Sequence, residues 1–146
     1  MLARSPLLLF LVLACGTPAT NTGASVEEDG SFTQVYQYPR EDVYHAAVAA
    51  AESLGYKLEV ADPMAGRVSG RSEIKRRGLG AQVQYYLIRA DLQAPQPGMT
   101  GTRVRVTITF THHLSGQPRT SINDKIVRTR DRYDAYFTEI KAQLGD

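Results

Sequence analysis

The chain of 146 residues has one cysteine, no tryptophan and three histidines. With Cys15 alone, no disulfide can form within the chain, so its fold must rest on a packed core. No apolar run approaches the roughly 18 to 20 residues that a membrane-spanning helix needs; the longest unbroken one covers residues 7–14. The His-Glu-x-x-His pattern and paired Cys/His spacings are absent, which removes the usual signs of a zinc site. Neither a Gly-x-Ser-x-Gly elbow nor a phosphate-cradling Gly-x-x-x-x-Gly-Lys loop occurs. No catalytic residue, metal site or cofactor is therefore expected, and the three histidines (His45, His112 and His113) are read as surface residues.

What is present begins at the N-terminus. Arg4 supplies a short positive region, and residues 7–14 read Leu-Leu-Leu-Phe-Leu-Val-Leu-Ala. A charged start followed by a short apolar run is the pattern of an export signal, assigned here to residues 1–14. The run closes in Val12-Leu13-Ala14-Cys15-Gly16, which resembles the lipobox of bacterial lipoproteins. Val at −3 and Leu at −2 depart mildly from that pattern. The resemblance implies that Cys15 receives a diacylglycerol thioether and becomes the mature N-terminus. A thiolate is nucleophilic enough for selective alkylation, and more than one acyl chain, such as palmitate, makes anchoring stable. Ordinary cleavage after Gly16 stands beside this reading, since Ala14 and Gly16 also fit the small residues of a secretory site. Residue 16 is not Asp, so by the enteric retention rule the resemblance implies the outer membrane, with the domain facing the periplasm.

Residues 15–30 are small, polar and acidic after the cysteine, which predicts a flexible tether. Residues 31–146 form one domain's worth of chain. A strand is expected over residues 31–38. A helix over residues 40–54 follows, with Val43, Ala47, Ala50 and Leu54 at helical spacing and Gly55 as its stop. Alternation predicts strands at 56–60 and 66–72, a long strand at 81–92 and the cleanest at 102–111. In the last, Val104, Val106, Ile108 and Phe110 share one face. Residues 73–80 are expected to be a charged loop. Ile126, Tyr133, Phe137, Ile140 and Leu144 predict a closing helix that starts between residues 121 and 130.

This order, β-α-β-β-β-β-α, predicts an α+β two-layer sandwich with a mostly antiparallel five-stranded sheet and two helices. The opening strand, Pro39, helix and Leu54-Gly55-Tyr56, then Gly66-x-Val68-x-Gly70 and the aromatic last helix, resemble small uncharacterised bacterial lipoproteins. They also resemble the helix-grip modules of the accessory lipoprotein C of the outer-membrane barrel-assembly machinery. The resemblance implies a fold and an envelope setting, and no catalytic residues.

Charge is unevenly distributed. Residues 27–62 hold 8 acidic and 2 basic side chains, and residues 67–132 hold 13 basic and 4 acidic. Lys75, Arg76 and Arg77 are contiguous, and they are the candidate contact to an anionic surface, alongside the bland reading of a solvated loop. The expected partners are the membrane, through a lipid on Cys15, and an envelope protein or anionic lipid surface; an exported chain is not expected to meet nucleic acid. The sequence favours a non-enzymatic binding or scaffolding role. The competing expectation is a small-ligand or lipid carrier, or a hydrolase, whose site forms only in the fold. A deep pocket between sheet and last helix would favour that second expectation.

Overall fold

A computed structural model describes residues 23–79, 81–95, 97–116 and 123–146. The signal segment, Cys15 and the chain up to residue 22 lie outside the described residues. The elements are β1 (Ser25–Val26), β2 (Phe32–Tyr36), α1 (Arg40–Ser53), β3 (Lys57–Asp62), β4 (Arg67–Arg71), β5 (Lys75–Arg77), β6 (Gln82–Gln93), β7 (Thr102–Leu114), β8 (Asn123–Ile126) and α2 (Arg130–Leu144). All strands join one antiparallel sheet in the order β1-β2-β7-β6-β4-β3, with β5 on β6 and β8 on β7.

The expected five-stranded β-α-β-β-β-β-α sandwich is thus corrected to an eight-stranded sheet with two helices. The three extra strands are short and polar, with no alternation to announce them. They form beside open edges: β1 pairs with the outer edge of β2, and β5 and β8 fill the lengths over which β6 and β7 outrun their neighbours. β2 pairs only with Thr102 to Val106 of β7, and β8 takes the edge from Thr109 to His112. Likewise β4 pairs with Leu87 to Asp91 of β6, and β5 takes Gln82 to Gln84. Backbone donors and acceptors on a half-paired strand need partners wherever they are buried, and these short segments supply them. Lys75, Arg76 and Arg77 therefore lie on a strand, not in a loop. Ser25–Val26, within the segment expected to be a tether, pairs with β2. Ile126 ends a strand, and the last helix starts only at Arg130.

The two helices cover one face. Val104, Val106 and Ile108 of β7 point to that side, opposite Leu92, Ala90 and Ile88 of β6, and all six are buried. The sequence assigned this face and this antiparallel pairing; Phe110, the fourth residue of the alternation, is only half-buried. Alanines at 46, 47, 50 and 51 keep α1 slim enough to pack closely. The Tyr136 hydroxyl donates to the Ala47 carbonyl at 2.9 Å, and the Tyr36 hydroxyl donates to the Phe137 carbonyl at 3.0 Å. Burial holds both phenols well above the usual tyrosine range, so they stay neutral donors. Gly55, at φ 81°, ends α1 as its position predicts. Gly101, at φ 97°, lets β7 start against the Tyr36 carbonyl, where any Cβ would collide with backbone.

Tyr133 closes the break in pairing along the outer edge of β7. Ile108 falls between the last β2 partner and the first β8 partner of β7. Its N–H donates to the Tyr133 hydroxyl at 3.0 Å, and its carbonyl accepts from the Val127 N–H at 2.8 Å. The same hydroxyl donates to the Val127 carbonyl at 2.7 Å, while its ring stacks on Phe32 at 4.1 Å. Tyr133→Phe keeps the stack and leaves Ile108 N–H and Val127 C=O without this partner. We expect it to cost about 1 to 3 kcal/mol, measured as a lower midpoint in urea denaturation. An unchanged midpoint would show that another group fills the gap.

Candidate functional site

The hairpin β6–β7 is longer than its cover. Strands of 12 and 13 residues run about 40 Å, whereas helices of 14 and 15 residues reach about 21 to 22 Å. Past Ile88 and Ile108 the helix-side face comes out from under α2. Tyr86, Phe110, His112 and Gln84 there are half-buried, and Gln82 and Leu114 are exposed. This far half of the hairpin is the candidate site.

Its helix-side face is aromatic and cationic. Tyr86 and Phe110 are cross-strand partners with ring centroids 5.1 Å apart, and Phe110 stacks with His112 at 6.0 Å. The Arg132 guanidinium lies 3.6 Å from the Tyr86 ring centroid, a close cation–π contact. Directly paired strand residues share a face. Lys75 and Arg77 of β5 are paired with Gln84 and Gln82, and Lys125 of β8 with Phe110, so all three belong to this face. Arg76 pairs with Val83 and belongs to the opposite face. That face carries a similar set, with Arg71 5.6 Å from the Tyr85 centroid and His113 edge-on to Tyr85.

The near half of the open face treats its arginines differently. Asp91 receives Arg67 at 3.0 Å and Arg89 at 2.9 Å. Partial burial works against ionisation of Asp91, but the two guanidiniums outweigh it and hold its carboxyl below the usual range. Arg71 meets Glu59 at 3.4 Å, Arg103 meets Glu27 at 2.5 Å, and Arg105 pairs with Asp29. Glu27 and Asp29 lie in the turn between β1 and β2, so the acidic N-terminal stretch folds back onto the basic β7. A groove of about 520 Å³ on this face is lined by these already paired groups, among them Asp29, Glu59, Arg89, Asp91 and Arg105. In contrast, Lys75, Arg76, Arg77, Lys125 and Arg132 make no ion pair among the described residues. Glu73, Asp124, Asp131 and Asp134 are the carboxylates within two residues of them in sequence; Asp134 pairs with Arg130, and none of the four pairs with these five cations among the described residues.

The expected contact residues Lys75, Arg76 and Arg77 are thus all exposed at one end of the sheet, split between its two faces. Cys15 lies outside the described residues. The histidines do not converge: His45 is on α1, and His112 and His113 face opposite sides of β7. Among the described residues, no group of His, Cys, Asp or Glu side chains is placed to hold a metal ion. The space between sheet and last helix, where a ligand pocket was one expectation, is filled by buried Tyr133, Tyr136, Phe137 and Ile140. Sequence reading missed the aromatic members Tyr85, Tyr86 and Phe110, with the cation Arg132, as a group. The available signal was polar: glutamines at 82 and 84 and His112 continue the core alternation of two strands past the point where a core would need apolar residues.

At the tip of this end, Leu79 follows Gly78 in the connection from β5 to β6. It sits at φ 58° with its side chain fully exposed. For a residue with a Cβ this left-handed backbone costs about 1 to 2 kcal/mol.

No protein-family model matches the chain, and no curated protein sequence is significantly similar to it. The crystal structure of a DUF4468 family protein from Bacteroides ovatus is similar to the chain at a TM-score of 0.43 and 18% identity, over 86% of this chain and 93% of that one.

The folded-back acidic turn has a pH dependence. Hydrogen bonds from Thr33 and Arg103 lower the pKa of Glu27; the side chain and backbone of Ser31, with Arg105, lower that of Asp29. A carboxylate with a lowered folded-state pKa stabilises the fold above the ordinary carboxylate range, and that contribution is lost as pH falls through the folded value. We expect the backbone NMR resonances of Ser25 and Val26 to move toward unstructured positions on acidification below that range, while those of β6 and β7 hold. Glu27→Gln with Asp29→Asn should give the same displacement at neutral pH. Resonances of β1 that stay fixed in both experiments would show that the ion pairs do not hold it.

Proposed function

We propose that the chain is an envelope lipoprotein, anchored through Cys15, whose domain binds anionic surface with the far end of the β6–β7 hairpin. The role is binding or scaffolding, without catalysis. The observation that carries it is the division among the basic residues. Those over the near half are paired with carboxylates of the same domain, whereas Lys75, Arg76, Arg77, Lys125 and Arg132 at the far end keep their charge for an outside partner.

Aromatic rings among those cations support the same reading. Tyrosine and histidine present an apolar body with a polar edge, and long basic side chains lay their stems on apolar surface with the charge outward. Each Lys or Arg near an anionic membrane contributes about 1 kcal/mol, so three to five give affinity that a lipid tether turns into stable residence. Such attraction weakens with salt, since the screening length falls to about 3 Å at 1 M.

Two experiments test the two halves of the proposal. Mass spectrometry of the native N-terminus should find acyl mass on Cys15, and Cys15→Ala should lose both that mass and membrane retention. A Cys15→Ala chain that fractionates as before would remove the anchor. For the surface, residues 23–146 should co-sediment with anionic vesicles, release at 1 M salt, and bind neutral vesicles weakly. Changing Lys75, Arg76 and Arg77 to Ser should lower the affinity by about a hundredfold, taking roughly 1 kcal/mol for each charge. Equal binding to both vesicle types, or none at low salt, would return the cations to a solvated sheet edge.

A further inference from the structure

We propose that Leu79 is an insertion tip, entering the acyl region of an anionic phospholipid bilayer while Lys75, Arg76 and Arg77 engage the headgroups around it. This rests on the surface-binding reading above and adds a specific mode of contact. Leu79 caps the connection from β5 to β6, beyond the reach of the core. Its φ of 58° belongs to the backbone region where glycine and asparagine are the residues of least strain. A turn that had only to reverse the chain would be better served by either of them. Here the position holds a large apolar side chain that no other part of the described domain covers. Exposed Leu114 ends β7 at the same end of the hairpin, opposite Gln82, and exposed Ile74 precedes β5.

The charge distribution decides what the tip meets. Lys75 and Arg77 lie on one face of the sheet and Arg76 on the other, so unpaired cations flank the tip on both sides. A protein groove would offer its acidic side chains to one face of a strand. A headgroup layer surrounds whatever enters it and meets both faces at once. Tyr85 and Tyr86 stand behind the cations on the two faces, the residue type that settles at a membrane–water interface.

The geometry also orients the domain. Gly23 lies beside Met99 and Arg103, at the other end of the hairpin from the tip. From Arg103 to Leu114 the strand covers about 37 Å at 3.4 Å per residue. A chain held at Cys15 and inserted at Leu79 in the same bilayer is therefore tilted rather than upright, since the eight residue steps from Cys15 to Gly23 span at most about 26 to 29 Å.

The absence of tryptophan provides the assay. Leu79→Trp places the chain's only indole at the tip, on an exposed position that leaves the core untouched. The full chain carrying this change is reconstituted into phosphatidylcholine vesicles with or without phosphatidylglycerol. Thermal unfolding matched to the unsubstituted chain serves as the folding control. In the anionic vesicles the emission should shift to the blue and be quenched by lipids brominated on their acyl chains. In neutral vesicles, or when Lys75, Arg76 and Arg77 are also changed to Ser, it should remain water-like. Water-like, unquenched emission in anionic vesicles overturns the insertion; if salt-sensitive binding of residues 23–146 persists, the surface-binding reading survives without it. Equal insertion into neutral vesicles overturns the part given to the three cations. Loss of anionic binding altogether removes both readings.

Discussion

The architecture depends on one hydroxyl. β6 and β7 both run the full length of the sheet, and along its outer edge β7 must change partners from β2 to β8. The change leaves Ile108 facing neither strand, deep in the core, with an N–H that cannot go unpaired without a cost of about 1 to 3 kcal/mol. Tyr133 accepts that N–H, donates to Val127, and stacks on Phe32 of β2. One side chain of α2 therefore ties the helix layer, both edge strands and the central strand together at a single point. The extra length of the hairpin is tolerated because this junction holds its two halves in register.

That length creates the functional asymmetry. Helices of about 22 Å cannot cover strands of about 40 Å, so one half of the hairpin is core and the other is surface on both faces. In the first half, basic residues are matched by carboxylates that the fold brings from far away in sequence, Glu27 to Arg103 and Asp29 to Arg105. In the second half the same strands carry tyrosines and histidines, and the cations beside them on β5, β8 and α2 make no ion pair among the described residues. Exposed ion pairs add little stability each. Their consequence here is that they cancel part of the basic field of residues 67–132, whereas Lys75, Arg76, Arg77, Lys125 and Arg132 make no ion pair among the described residues.

Much of the frame was legible from residue patterns. The first helix and the buried face of β7 follow from apolar period, because burial on one side leaves a period of two in a strand and 3.6 in a helix, and the antiparallel β6–β7 pairing follows from the short connection between them. β1, β5 and β8 left no such trace. Ser-Val, Lys-Arg-Arg and Asn-Asp-Lys-Ile have neither length nor alternation, and they are strands only because an unpaired edge lies beside them. Counting Ile126 among the residues of the closing helix failed for the same reason: its helical spacing to Tyr133 is real, but the edge of β7 takes its backbone first. For the candidate site, Lys75, Arg76 and Arg77 were visible as a charge run. Their division between two faces was not, since it is set by the register of β5 on β6.

By itself the sequence determined the short apolar run ahead of a single cysteine, the lack of any motif for a metal, nucleotide or acyl-transfer site, and the apolar stripes from which a core can be built. Those properties are local, each written in a short window of the chain. Only the tertiary structure decided which charges remain available to a partner. A guanidinium is neutralised or left free according to whether a carboxylate arrives within about 4 Å of it, and for Arg103 and Arg105 those carboxylates come from the other end of the chain. The same holds for Leu79, an ordinary turn residue in the sequence, which became an exposed apolar tip once the hairpin extended past the helices that could have covered it.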